Sequence, residues 1–154
     1  MFTRGVLAAL MVGVAAGSTG CATSRLLIDA QSARTNTHTV LAFEETVFNR
    51  HRVEEGFERY VAPDFRQHAA ALPDDREGSI SALSRLLGND FPASRVTVER
   101  TVAQGDLVAV QLVWEQTPGQ SRGVARVDIY RLQDGRIVEH WDVTQSVADR
   151  NAGH

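Results

Sequence analysis

The sequence predicts an α+β domain in which N-terminal helices pack on a curved antiparallel or mixed β-sheet. Three observations point there. Apolar residues recur at three-to-four spacing between Thr39 and Leu87. After Pro92 the period drops to two, over segments rich in Val, Ile, Thr and aromatics. Helical segments therefore precede a run of strands, the order of an α+β domain and not of an alternating α/β one.

The elements follow in order. From Thr39, Val40, Phe43, Val47 and Phe48 form one apolar stripe, with Glu44 and Glu45 near the opening turns. A second short helix runs from Val53 to Tyr60 and must stop before Pro63, which lacks an N–H and restricts the residue before it. Asp64 to His68 reads as irregular or as a short strand. A third helix starts near Gly78-Ser79, presents Ile80, Leu83, Leu86 and Leu87 on one side, and closes at Gly88-Asn89. Strands are predicted from Arg95 to Ala103, Leu107 to Glu115, Gly123 to Leu132 and Arg136 to Val147. Gln104-Gly105-Asp106 and Asp134-Gly135 are turn signals, the second that of a two-residue hairpin, and Thr117-Pro118-Gly119-Gln120 makes a looser turn. Helices lying across the concave side of such a sheet leave a cone with an apolar pocket, where ligand sites are usually found.

Composition narrows the chemistry. A chain of 154 residues suits one domain with a proper core. Its net charge of −3 provides no basic face for nucleic acid. All 16 basic residues are arginine, so no lysine exists to form a Schiff base. The sole cysteine, Cys21, speaks against a disulfide framework, a zinc-cysteine site or thiol catalysis.

Residues 1–21 read as an address. Arg4 supplies a positive start, and Val6 to Ala16 form an apolar run, shorter than the roughly 20 residues a bilayer span needs. Gly17-Ser18-Thr19-Gly20 then precede Cys21. This resembles the lipobox of bacterial lipoproteins, which implies lipidation at Cys21 and an exported, membrane-anchored lipoprotein of a bacterial envelope. Ser18 departs from the pattern, which usually has a larger aliphatic residue there. A simply cleaved secretory signal, and a retained anchor or misread start, are the other readings. Residues 22–38, rich in Ser, Thr, Ala and Asn, are expected to be a tether, 39–147 the folded domain, and 148–154 a flexible tail.

Tyr60-Val61, Gln67-His68, Glu77-Gly78, the run Ala103 to Val110, and above all Val127-Asp128-Ile129-Tyr130-Arg131 with Asp134-Gly135-Arg136-Ile137-Val138-Glu139-His140-Trp141-Asp142-Val143 line up with one pattern. From about Thr39 to Val147 the chain resembles the SnoaL-like polyketide cyclase group of the NTF2-like cone fold. Related sequences commonly read Gln-His-Asn where this chain has Gln67-His68-Ala69. The resemblance implies acid–base chemistry without a cofactor, of the aldol cyclase, isomerase or hydratase kind, on a small, largely apolar carbonyl compound. Some members of the fold only bind ligands or partners. A non-catalytic envelope lipoprotein whose conical pocket holds a small apolar ligand is therefore the alternative, and a homodimer pairing through an open sheet face a third reading.

The candidate residues follow. His140 and Asp142 are two apart on one strand and so share a sheet face. A carboxylate beside an imidazole suits a general-base pair, with Asp142 as base and His140 as its partner; a solvated surface ladder is the bland alternative. Counting across the two-residue turn puts Asp128 opposite Trp141 and away from His140 unless a β-bulge intervenes. Asp128 is then either a second pocket acid on an irregular strand or a structural group paired with arginine. His68 is a candidate electrophilic or orienting group at the pocket rim. Trp141, Tyr60, Phe65 and Trp114 are expected in the core or pocket wall. Arg100, Arg126 and Arg131 read as a solvated face, though one could bind an anionic substrate. His68, His140, Asp128 and Asp142 could form a metal set, but no tight ligand spacing supports one, and no glycine-rich phosphate loop is present.

Overall fold

A computed structural model describes residues 19–117, 119 and 123–146, with side chains described between Leu27 and Gln145. The expected signal segment as far as residue 18, and the tail 148–154, lie outside the described residues, as does the side chain of Cys21. No helix among the described residues is long and apolar enough to cross a membrane.

Helix α1 spans Thr19–Glu44 and runs on into a π-helical turn, Glu45–Asn49. It begins well before Thr39, so the segment expected as a tether is helical. Between residues 22 and 38 there is neither Gly nor Pro, and Ala, Leu, Arg and Gln among the polar residues favour a helix. Its last turns join the domain: Asn36 and Val40 are buried, and Asn36 donates to the Gly105 carbonyl at 3.1 Å.

Helix α2, Val53–Tyr60, packs against the π-helical turn with Gly56 at the contact, where a Cβ would strike the Val47 methyl. The chain then passes directly into strand β1, Val61–Gln67, which settles the irregular segment as a strand. Helix α3, Arg76–Arg85, is capped by the Asp75 carboxylate, which accepts from the Gly78 N–H at 2.8 Å. It also ends in a π-helical turn, Leu86–Asp90. Strands β2 (Arg95–Gln104), β3 (Leu107–Glu115), β4 (Val124–Gln133) and β5 (Arg136–Ser146) complete the fold close to their predicted places.

The sheet order is β1-β5-β4-β3-β2, with β1 parallel to β5 and the other pairs antiparallel. Pro63 is tolerated because β1 is an edge strand. The helices cover one sheet face, where Val40, Phe43, Phe57, Val110, Leu112 and Tyr130 form part of a continuous core. This is the α+β cone the sequence predicts.

The hairpin β4–β5 decides the site. Asp134 and Gly135 both have positive φ, 51° and 76°, as a primed two-residue turn requires. Gln133 pairs with Arg136 and Leu132 with Ile137, as counting predicts. Arg131, however, pairs with Glu139, so Val138 is an extra residue in β5. Every later pair is displaced by one. Asp128 faces Asp142 and Tyr130 faces His140, while Trp141 faces Ile129. The expected pairing of Asp128 with Trp141 is thereby corrected.

Candidate functional site

Because side chains alternate along a strand, the bulge puts Arg126, Asp128 and Tyr130 of β4 on the same face as His140, Asp142 and Thr144 of β5. That face looks into a cavity of about 380 Å³ beneath the helices. Phe43, Phe48 and Phe57 from the first helices, Phe65 from β1, Leu83 from α3 and Trp114 from β3 supply apolar wall. Gln67, Arg126, Tyr130, His140, Asp142 and Thr144 concentrate polarity on the sheet side.

Asp142 is half-buried on this wall, and its carboxylate makes no hydrogen bond or ion pair with another described residue. His140 is not its partner. The His140 Nδ1 lies 2.8 Å from Gln67 Oε1, and its Nε2 lies 3.1 Å from Asp128 Oδ1. Gln67 Oε1 also accepts the Ala69 N–H at 3.0 Å, which identifies it as the amide oxygen. Both imidazole nitrogens therefore meet acceptors, an arrangement the imidazolium satisfies fully and a neutral ring only by half. The expected Asp142–His140 pair is replaced by Asp128–His140, because the bulge brings Asp128 to this face. Tyr130 stacks on the His140 ring with centroids 4.7 Å apart and fixes its plane.

Asp128 is fully buried and receives Arg126 Nε at 2.8 Å. Burial pushes its carboxyl upward, but Arg126 and His140 outweigh that and hold it below the ordinary carboxylate value. Arg126, expected on a solvated face, is buried with its guanidinium 4.5 Å above the Phe48 ring. Burial opposes its charge, yet Asp128 and Glu44 keep it firmly protonated. Glu44 closes the network: Tyr130 Oη donates to its Oε1 at 2.5 Å, and its Oε2 faces Arg126 Nη2 at 3.7 Å. Burial, reinforced by the nearby Asp128 carboxylate, pushes Glu44 up to about 8, against the opposing pull of Arg126. Burial, with Glu44 next in effect, keeps the Tyr130 hydroxyl a neutral donor by raising it well above its usual value.

Other expected site residues lie elsewhere. His68 is on the far side of the hairpin, stacked on Trp141 at 4.5 Å and 3.7 Å from Glu139. Neither His68 nor Trp141 lines the cavity, because each belongs to the opposite alternation from His140. Tyr60 packs beside the core with its ring under Arg59 and is not part of the wall, whereas Phe65 and Trp114 are. Arg131 pairs on the outside with Glu139 at 2.6 Å. Among the described residues no three His, Cys, Asp or Glu side chains converge as a metal site requires.

Sequence reasoning missed Glu44 as a site residue because it placed that residue near a helix start. With α1 beginning at Thr19, Glu44 is the last α-helical residue and gains nothing from the positive helix end. Its position, four after Val40 and next to Phe43 in the buried stripe, was the available signal.

The SnoaL-like polyketide cyclase family model matches residues 38–150. No curated protein matches the chain. Among solved structures, IdmH of Streptomyces antibioticus, described as a polyketide cyclase, is 26% identical with a TM-score of 0.59, covering 71% of this chain and 91% of that one. A SnoaL-like protein of Jannaschia sp. CCS1 is 24% identical (TM-score 0.60), covering 74% of this chain and 88% of its own. AclR of Streptomyces galilaeus, described as a hydroxylase, is 19% identical (TM-score 0.61), covering 75% and 81%. The last two are alike in fold.

Proposed function

The chain belongs to the SnoaL-like polyketide cyclase family, and on that premise we propose that it is a cofactor-independent acid–base enzyme of the aldol cyclase, isomerase or hydratase kind, acting on a small, largely apolar carbonyl compound. The observation that carries this reading is Asp142: a carboxylate with no hydrogen-bond or ion-pair partner among the described residues, on the wall of a mostly apolar cavity. Such a group is placed for a substrate and not for the fold.

In the proposed reaction the Asp142 carboxylate removes a proton from the carbon α to a carbonyl, leaving an enolate. In the cyclase case the enolate carbon attacks a second carbonyl of the same molecule. One C–C bond forms, and the resulting alkoxide recovers the proton from the Asp142 acid. Atoms and charge balance with no external reagent. The Arg126 guanidinium lies on the same wall and favours the enolate electrostatically. His140 itself moves no proton in this scheme, since both its nitrogens are engaged by Gln67 and Asp128.

The reading is tested by exchange of α-protons in small apolar ketones and β-ketoesters in D2O, followed by NMR. The protein should accelerate exchange, and Asp142→Asn should lose about 10²–10⁴ of that acceleration while keeping its far-UV spectrum. Exchange no faster than buffer across the set, or full activity in Asp142→Asn, would sink it.

We place this activity at a bacterial envelope, held by a lipid on Cys21. The lipobox-like residues before Cys21 support that placement. A Cys21→Ser variant that still enters detergent with processed mobility would remove it.

A further inference from the structure

Gln67 ends strand β1, where it pairs with His140 in parallel register. Its backbone N–H donates to the Asp74 carbonyl at 2.9 Å, and only 5% of the residue is exposed. The side-chain oxygen is held by two donors, the Ala69 N–H at 3.0 Å and His140 Nδ1 at 2.8 Å. Exchanging the amide's oxygen and nitrogen would set an NH2 against the Ala69 N–H, so the orientation is fixed. Nε2 is left with two hydrogens and no hydrogen-bond partner among the described residues. Unlike Trp114 Nε1 and Arg126 Nη2, it is not sealed by the packing. In a residue this buried that lines the cavity, the cavity is the space on which the NH2 opens.

A buried donor without an acceptor costs the fold free energy. Here it is also built to serve a ligand oxygen. The two bonds at Oε1 remove the rotamer freedom that binding would otherwise cost. They also draw density from the amide and so strengthen its N–H groups as donors. The amide is neutral, so it leaves Asp142 uncommitted, where a cation would pair with it. Position agrees as well. With strands about 4.8 Å apart and two residues covering about 6.7 Å, the Gln67 and Asp142 backbones stand about 8 Å apart. A carboxylate against an α-hydrogen and an NH2 against the adjoining carbonyl oxygen span a comparable distance.

We propose that Gln67 is a catalytic residue whose Nε2 donates a hydrogen bond to the ligand's carbonyl oxygen and holds the oxyanion that forms there. Ala69 and His140 are positioning residues that pin Oε1 and so aim Nε2. In the step, the α-proton passes to Asp142, the C–H electron pair becomes the enolate, and charge gathers on the oxygen facing Nε2. That step rests on the reading under Proposed function. Recognition of a carbonyl oxygen by Gln67 does not.

The first experiment needs no turnover. 2-Acetylnaphthalene and 2-isopropenylnaphthalene share one shape and differ in carrying C=O or C=CH2. Equilibrium dialysis gives a ketone-to-alkene affinity ratio for the wild type and for Gln67→Met. Altered packing, or a freed His140, weakens both compounds alike and cancels in the ratio. The ratio should be about three- to tenfold higher in the wild type, the worth of one neutral hydrogen bond. Equal ratios, or a wild type that does not bind the ketone, overturn the proposal. Should Gln67→Met fail to fold, 15N NMR of the glutamine-labelled wild type decides. The Gln67 side-chain NH2, assigned through its own backbone, must move downfield with the ketone and not with the alkene. No shift, or the same shift with both, overturns it.

The second experiment follows exchange of the methyl protons of 2-acetylnaphthalene in D2O. Gln67→Met should lose about 10²–10³ of the wild-type acceleration, as loss of one oxyanion donor does. Gln67→Glu keeps an oxygen for Ala69 and His140 but no donor, and should lose at least as much. Full activity in Gln67→Glu would make Gln67 a support for His140 alone and overturns the donor role. Ketone selectivity in a protein without exchange removes the enzyme reading alone. Exchange that neither substitution slows removes Gln67 alone.

Discussion

The two faces of the β4–β5 hairpin use the same residue types to opposite ends. On the outer face Arg131 meets Glu139, and His68 stacks on Trp141, all partly open to water. On the inner face Arg126 meets Asp128 and Glu44, and His140 stacks on Tyr130, all of them buried. Solvent makes the difference. The outer ion pair forms in a screened medium and replaces good hydration with little gain. The inner groups have given up hydration, so each depends on its partners, and removing one strands the others. A second contrast sits within the inner face. Asp128 and Asp142 are directly opposed on the sheet, yet one is locked between Arg126 and His140 while the other has no side-chain partner among the described residues.

Several changes would break or sharpen that contrast. Asp128→Asn should cost about 3–5 kcal/mol, because it leaves the buried Arg126 charge without its closest partner. The measurement is urea denaturation at pH 7. The acid limb adds a check of sign: Asp128 is held below 3.8, so its contribution is present above that pH and lost as pH falls through its depressed value. The wild type should lose this advantage over the variant in strongly acid solution.

Gly56→Ala should cost about 1–3 kcal/mol, since the new methyl meets Val47 side chain across two packed helical turns. This perturbs packing above the cavity without touching either polar face, so α-proton exchange in the folded fraction should persist. Glu139→Gln on the outer face should leave the denaturation midpoint unchanged within error, despite its 2.6 Å bond to Arg131. A loss comparable to that of Asp128→Asn would show that exposure does not divide the two faces.

Several features of this molecule were legible in the sequence. Val40, Phe43, Val47 and Phe48 gave the first apolar stripe, and the alternation after Pro92 gave four strands near their observed bounds. Asp134-Gly135 specified a tight turn because few dipeptides accept two positive φ values. Asp142 was identifiable as an acid whose face it shares with His140, since strand alternation is a local rule.

Other features were decided only by the tertiary structure. The extra residue Val138 has no local signature. A bulge there is favoured by curvature of the whole sheet and by what each face then buries, and its consequence is to bring Asp128 to His140. Likewise nothing local marks Arg126 as buried and Arg131 as half-buried, or Glu44 as a carboxyl that burial pushes up to about 8. Local geometry follows from short-range sterics and periodicity, which a sequence displays directly. The partners of a buried charge come from strands and helices far apart in the chain, and only the packed fold brings them within reach.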